Sequence, residues 1–162
     1  MKKPTIAIGN DHRGYQLKTA IREMLEHEGY SVNDFGAYSE DSVDYPDFTH
    51  PLAESIENGE NELGILICGS GNGVNMAANK HKGIRAALCW NEDIGKLARQ
   101  HNNANVVCLS AMYTDEETAK KIVHEFLNAS YEGGRHEARV KKIGISGTFR
   151  SSVSNSPAKC CS

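Results

Sequence analysis

The chain has 162 residues, a formal net charge of -3 and 24% charged residues. That length suits one domain with a sizeable core, and the slightly acidic balance gives no general attraction to nucleic acid or to an anionic membrane. No apolar run approaches the roughly 20 residues that cross a bilayer, and Asp11 and His12 end the first apolar run too early for a signal peptide, so a cytoplasmic protein is expected.

The first apolar run, residues 5–8, leads into Asn10-Asp11-His12. Leu17, Ile21, Met24 and Leu25 follow at helical spacing, and Gly29 marks a helix stop. A second run covers residues 31–35. Beyond it the loop Asp44-Tyr45-Pro46 precedes a segment in which Pro51 either starts a helix carrying Leu52 and Ile56 or bends an earlier one. The third run, residues 63–67, ends at Cys68 and opens into Gly69-Ser70-Gly71-Asn72-Gly73, with a helix expected from Val74 to Lys80. Runs at 84–89 and 105–109 flank a helix over 92–101, which Gly95 weakens. Ala119, Ile122, Val123, Phe126 and Leu127 form a last apolar face, with Thr114 and Glu117 placed as a capping box.

Alternation of nearly all-apolar strands with helices predicts an α/β fold. We expect a single three-layer α/β/α domain of about five mostly parallel strands, Rossmann-like, over residues 1–147. Residues 148–162 are Ser-rich and lack periodicity, and read as a flexible tail. The five cysteines do not suggest a disulfide framework. Cys68, Cys89 and Cys108 fall in or beside predicted strands, Cys160 and Cys161 are adjacent, and no C-x-x-C pair occurs.

Ligands of open parallel sheets bind where the strands end. Asn10-Asp11-His12 and Cys68-Gly69-Ser70-Gly71 fall there, and we add His101-Asn102, at the end of the helix after the fourth strand, to the same gathering of polar groups. Free N–H groups of the glycine turn can hold a phosphate or a developing oxyanion, and a thiol beside them can act as base or nucleophile. The glycines beside Cys68 are expected to expose its sulfur, though Cys68 also fits a simple core role, His12 a surface turn, and His101 a partner for helix-end carbonyls. Arg135 and Arg139 are four residues apart after a glycine turn, so a short helix would set both on one face. They suit a phosphate or carboxylate, or pair with Glu132 and Glu137 on a solvated surface.

Competing motifs fail. Position 74 is Val where a dinucleotide fingerprint needs Gly, no G-K-[ST] follows the glycines, and Ser70 lacks the outer glycines of a hydrolase elbow. No two histidines have H-x-x-x-H spacing, so no metal is expected.

Taken together, Asp11-His12, Asp44-Tyr45-Pro46, Ile67-Cys68-Gly69-Ser70-Gly71-Asn72-Gly73, Gly83-Ile84-Arg85-Ala86, Arg99-Gln100-His101-Asn102 and Tyr131-Glu132-Gly133-Gly134-Arg135-His136 resemble, in order, the B-type ribose-5-phosphate isomerases and galactose-6-phosphate isomerase subunits. The resemblance runs to about Gly147. It implies interconversion of ribose 5-phosphate and ribulose 5-phosphate with no metal or cofactor, in dimers whose sites draw on both subunits. It makes Cys68 the base at C2 and the backbone N–H groups of Gly69, Gly71, Asn72 and Gly73 the anion hole. Ser70 would handle a hydroxyl proton. His101 would open the furanose ring, with Asp11, Tyr45 and Asn102 positioning the sugar. His12, Arg135 and Arg139 would bind the phosphate. One departure stands out: many relatives carry an arginine shortly after the fifth strand, where this chain has Met112. A hexose-phosphate isomerase on the same scaffold and a non-catalytic sugar-phosphate sensor are the alternatives. Small-molecule sugar phosphate and a second copy of the chain are the partners the resemblance implies; no nucleic acid or membrane partner is expected.

Overall fold

A computed structural model describes residues 2–145. The boundary at 147/148, the Ser-rich tail and the Cys160-Cys161 pair lie outside the described residues. Five strands form one parallel sheet: β1 (Thr5–Asn10), β2 (Ser31–Asp34), β3 (Leu63–Cys68), β4 (Ala86–Leu88) and β5 (Val106–Ser110). Their order is β2-β1-β3-β5-β4, with every pairing parallel. Strand order reverses at β1: β2 lies on one side and β3 on the other. The C-terminal ends of β1 and β3 therefore flank a topological switch point, where a crevice forms.

Alternation along the strands splits the core in two. Ile6, Ile8, Ile65, Ile67, Val107 and Leu109 point to one face. There they meet Leu17, Ile21 and Leu25 of α1 (Tyr15–His27), Ala98 of α4 (Glu92–Asn102), and Ala119, Ile122, Val123 and Phe126 of α5 (Glu116–Asn128). Ala7, Leu66, Cys68, Val106 and Cys108 point the other way, onto Leu52 and Ala53 of α2 (Pro46–Glu57) and Val74 and Ala78 of α3 (Asn72–Ala78). The three-layer α/β/α expectation holds.

Several local readings change. Pro46 starts α2 and Pro51 sits inside it; lacking an N–H, Pro51 costs one interior hydrogen bond while the helix continues. Asp115 caps α5, its carboxylate accepting from Thr118 N–H at 2.9 Å, so the cap is one residue later than Thr114. Gly95 looks like a weakness within α4, yet a Cβ there would stand 3.0 Å from Ile122 Cγ2 and from its carbonyl oxygen. Its small size lets α4 and α5 pack closely. Gly29 does close α1, at φ +80°.

Candidate active site

The end of β1 and the end of β3 are tied to each other. Asp11 N–H donates to the Ile67 carbonyl at 3.1 Å. The Asp11 carboxylate then accepts from Arg13 N–H at 2.9 Å and Gly14 N–H at 3.1 Å, which folds residues His12–Gly14 into a 3-10 turn. A Cβ on Gly14 would lie 2.7 Å from the Ile67 carbonyl oxygen, so only glycine lets this turn rest on β3. His12 is half-buried, and its Nδ1 accepts from Val43 N–H at 3.3 Å. That leaves Nε2 as the nitrogen available to a ligand.

Cys68 closes β3. The sequence suggests that flanking glycines expose its sulfur; instead it is 4% exposed, because its side chain points into the α2/α3 face of the core. Gly71 N–H donates to Cys68 Sγ at 3.2 Å, and Gly71 reaches that position in a left-handed conformation, φ +77°. The loop after β5 secures the same turn from outside. Ala111 N–H donates to the Cys68 carbonyl at 2.9 Å, Met112 N–H to the Gly69 carbonyl at 3.0 Å, and Ser110 Oγ to the Gly69 carbonyl at 2.7 Å. With those carbonyls held back, the N–H groups of Ser70 and Gly73 find no acceptor among the described residues. Ser70 is exposed and its Oγ accepts from Asn72 N–H at 3.3 Å. Tyr45 reaches over from the start of α2: a Cβ on Gly73 would lie 2.6 Å from its Cζ.

Two further cysteines among the described residues, Cys89 and Cys108, lie within the core. Burial pushes the Cys89 thiol up to about 12, and burial pushes Cys108 well above the ordinary range. Both are neutral core residues with no ionic role at ordinary pH.

His101 and Asn102 are not beside Cys68. Helix α4 leaves the C-terminal end of β4 and returns to the start of β5, so its last residues lie where the strands begin. Asn102 shares a small cavity there with Arg85, Ala86 and Ala104, and Arg85 Nε donates to the Asn103 carbonyl at 2.8 Å. The length of β3, about 16 Å at 3.3 Å per residue, separates this edge from Cys68. Placing His101 with the strand ends was an error of direction: in a parallel sheet the connecting helices run back.

A second cluster forms around His101. Glu132 N–H donates to the Gln100 carbonyl at 3.0 Å, which docks the C-terminal segment onto the end of α4. His136 is buried and stacks on His101, with ring centroids 4.2 Å apart and planes 12° from parallel. Glu132 Oε2 faces both rings, 3.8 Å from His101 Nε2 and 3.6 Å from His136 Nε2. Burial first, and then the charges of His101 and Arg135, hold His136 below the usual histidine range. Arg135 Nε lies 3.3 Å from His136 Nε2, which suits a neutral ring accepting there. Arg135 is on a 3-10 turn (Gly134–His136) and Arg139 on the single α-turn α6 (Glu137–Val140), so the expected continuous short helix is in two pieces. Both arginines are exposed, and neither forms an ion pair among the described residues; Glu137 pairs with Lys141 at 2.8 Å instead.

The ligand atoms of His101, Glu132 and His136 lie within 4.8 Å of one another. Nearly parallel imidazoles aim their lone pairs side by side rather than at one point, so a metal ion does not fit this arrangement without turning a ring. Sequence reasoning gave Glu132 and His136 no part in a site. Their spacing of four residues, with the glycine pair between them, was the available signal.

Fold and site thus define a parallel-sheet α/β protein with a thiol-and-glycine turn at one edge and a histidine–arginine cluster at the other. Residues 6–143 match the ribose/galactose isomerase family. A probable ribose-5-phosphate isomerase B of Mycoplasma genitalium is 49% identical over 140 residues, which is 85% of this chain and 92% of that protein. The ribose-5-phosphate isomerase B of Escherichia coli is 45% identical over 143 residues, 88% of this chain and 95% of that one. The crystal structure of a ribose 5-phosphate isomerase from Thermotoga maritima superposes with a TM-score of 0.87 at 45% identity, covering 88% of this chain and 99% of that one. The Mycoplasma genitalium enzyme with bound ribulose 5-phosphate gives a TM-score of 0.82 at 48% identity, covering 86% and 93%. The chain belongs to the ribose/galactose isomerase family. Among the described residues no helix is long and apolar enough to cross a membrane.

Proposed function

We propose that this protein interconverts ribose 5-phosphate and ribulose 5-phosphate. The observation that carries the reading is Cys68 at the switch point, with Gly71 N–H on its sulfur and free N–H groups beside it, in a chain about half identical to relatives bearing that name. The proton at C2 of the open aldose is only weakly acidic, so its removal needs a base and charge stabilisation together. The Cys68 thiolate takes that proton and becomes a thiol, and the negative charge of the enediolate settles on O1, facing the Ser70 and Gly73 N–H groups that find no acceptor within the turn of Gly69, Gly71, Asn72 and Gly73. Ser70 moves the O2 proton to O1, and Cys68 returns its proton to C1. The ketose results, with atoms and charge balanced. Asp11, Tyr45 and Asn102 position the sugar, and His12, Arg135 and Arg139 bind the phosphate.

Ring opening is assigned to His101, which requires a second copy, because one protomer holds His101 and Cys68 at opposite edges of its sheet. A homodimer with shared sites follows, and large apolar side chains left exposed, Met76 and Trp90 among them, suit coverage by that copy. The test is a coupled assay for ribulose 5-phosphate with wild type and Cys68→Ala. Wild type turns over; the variant loses orders of magnitude in kcat while still binding the sugar phosphate. Near-normal turnover by a folded Cys68→Ala protein would assign the base elsewhere.

A further inference from the structure

Assigning Arg135 and Arg139 to the partner's half-site leaves the Cys68 edge with His12 as its only assigned phosphate ligand. The structure holds a second cationic side chain there. Arg13 follows His12 in the 3-10 turn, with its N–H fixed on the Asp11 carboxylate. A Cβ on Gly69 would lie 3.7 Å from Arg13 Cγ, 3.8 Å from Arg13 Cβ and 3.2 Å from Met112 Sδ. The stems of Arg13 and Met112 therefore cover the same spot on the glycine turn from two sides, one rising from β1 and the other from β5. Arg13 is exposed, and its guanidinium makes no hydrogen bond or ion pair among the described residues. Arg13 is thus anchored at its backbone and packed along its stem against the glycine turn, and its head is unengaged among the described residues.

We propose that Arg13 is a phosphate-binding residue of this chain, supplying at the β1 turn the charge that Met112 does not supply after β5. The inference rests on the isomerase reading above for the identity of the ligand. A guanidinium stays charged at every working pH, and its planar fork matches two phosphate oxygens at once. Because this contact engages the phosphate and not the reacting carbons, it contributes uniformly to substrate and transition state.

Three variants test it: Arg13→Met, which keeps an apolar stem over Gly69; Arg13→Lys, which keeps the charge; and the double variant Arg13→Met/Met112→Arg. Arg13→Met should raise KM for ribose 5-phosphate about tenfold with kcat within about twofold of wild type. The double variant should recover most of that loss, because an arginine at 112 approaches the same turn, and a merely structural role for Arg13 gives no reason for such rescue. The inhibition constant of inorganic phosphate should move in parallel with KM. An unchanged KM in folded Arg13→Met overturns the assignment. Should wild type fail to isomerise the sugar, the isomerase reading falls, and Arg13 is then judged by calorimetric binding of inorganic phosphate. Weaker binding by Arg13→Met upholds the residue's role, while equal binding, or none by wild type, overturns it.

Discussion

Mixing two inactive proteins should regenerate activity. Cys68→Ala removes the proposed base at one edge of the sheet, and His101→Ala removes the proposed ring-opening group at the other. The two positions are separated by the length of β3, about 16 Å, beyond the reach of any side-chain motion. If each site takes Cys68 from one copy and His101 from the other, a hybrid dimer has one site with both residues intact and one with neither. Random exchange of equal amounts makes half the dimers hybrid, so the mixture should reach about a quarter of wild-type specific activity. Each parent alone should stay near background. Mass spectrometry of differently tagged chains establishes that exchange occurred, and the coupled ribulose 5-phosphate assay reads the result. If proven hybrids show no recovery, the two residues do not share a site across subunits.

Other outcomes follow from single contacts. Gly71→Ala forces a side chain into a left-handed backbone, with its Cβ 2.5 Å from Leu88 Cδ1 and 3.1 Å from the Leu109 backbone; about 2–4 kcal/mol of stability should be lost in urea unfolding, and turnover with it. Lys18 is fully buried, donating to Asp34 at 3.0 Å and to the Ala37 carbonyl at 2.7 Å, and burial holds its ammonium below the usual lysine range. Lys18→Met should cost about 2–3 kcal/mol, less than breaking an isolated buried pair, because Arg22 and Gly36 N–H still serve Asp34. His136 is held below its ordinary 6.5, so its contribution is complete above that pH. As pH falls from 6.5 through the lower folded value, the unfolded chain takes up the proton first and stability drops. Amide protection factors across residues 131–140 should fall in that window, and His136→Gln should flatten the dependence.

The strands and the glycine turn were legible because they are local. Buried parallel strands are continuous apolar runs, and residues 63–67 announce one of them without reference to the rest of the fold. The α4–α5 contact was not legible: Gly95 reads as a defect until Ile122 is found against it. The exposure of Cys68 was misjudged for a related reason. Flanking glycines describe the backbone, whereas the side chain's surroundings are set by which sheet face position 68 points to, and that face is covered by α2 and α3.

His101 shows where reading by motif and reading by topology part. As a residue beside Asn102 it joins the polar set, but which set depends on the direction of α4. A right-handed crossover carries the chain back across the sheet, so every helix after a strand delivers its end to the opposite edge. Two consequences follow from that one geometric fact. A protomer cannot bring His101 to its own Cys68, and the segment that can approach His101, residues 131–139, must supply its neighbours at that edge. Glu132 and His136 do so, with the two exposed arginines beside them. The glycine turn at one edge and the histidine cluster at the other are thus chemically complementary: one offers a thiol and unpaired N–H groups, the other an imidazole and two guanidinium groups that form no ion pair among the described residues. The proposed isomerisation of an aldose phosphate draws on all of these within the length of one substrate. Under that proposal, two copies, each lending one edge to the other, are the simplest arrangement that would supply them together.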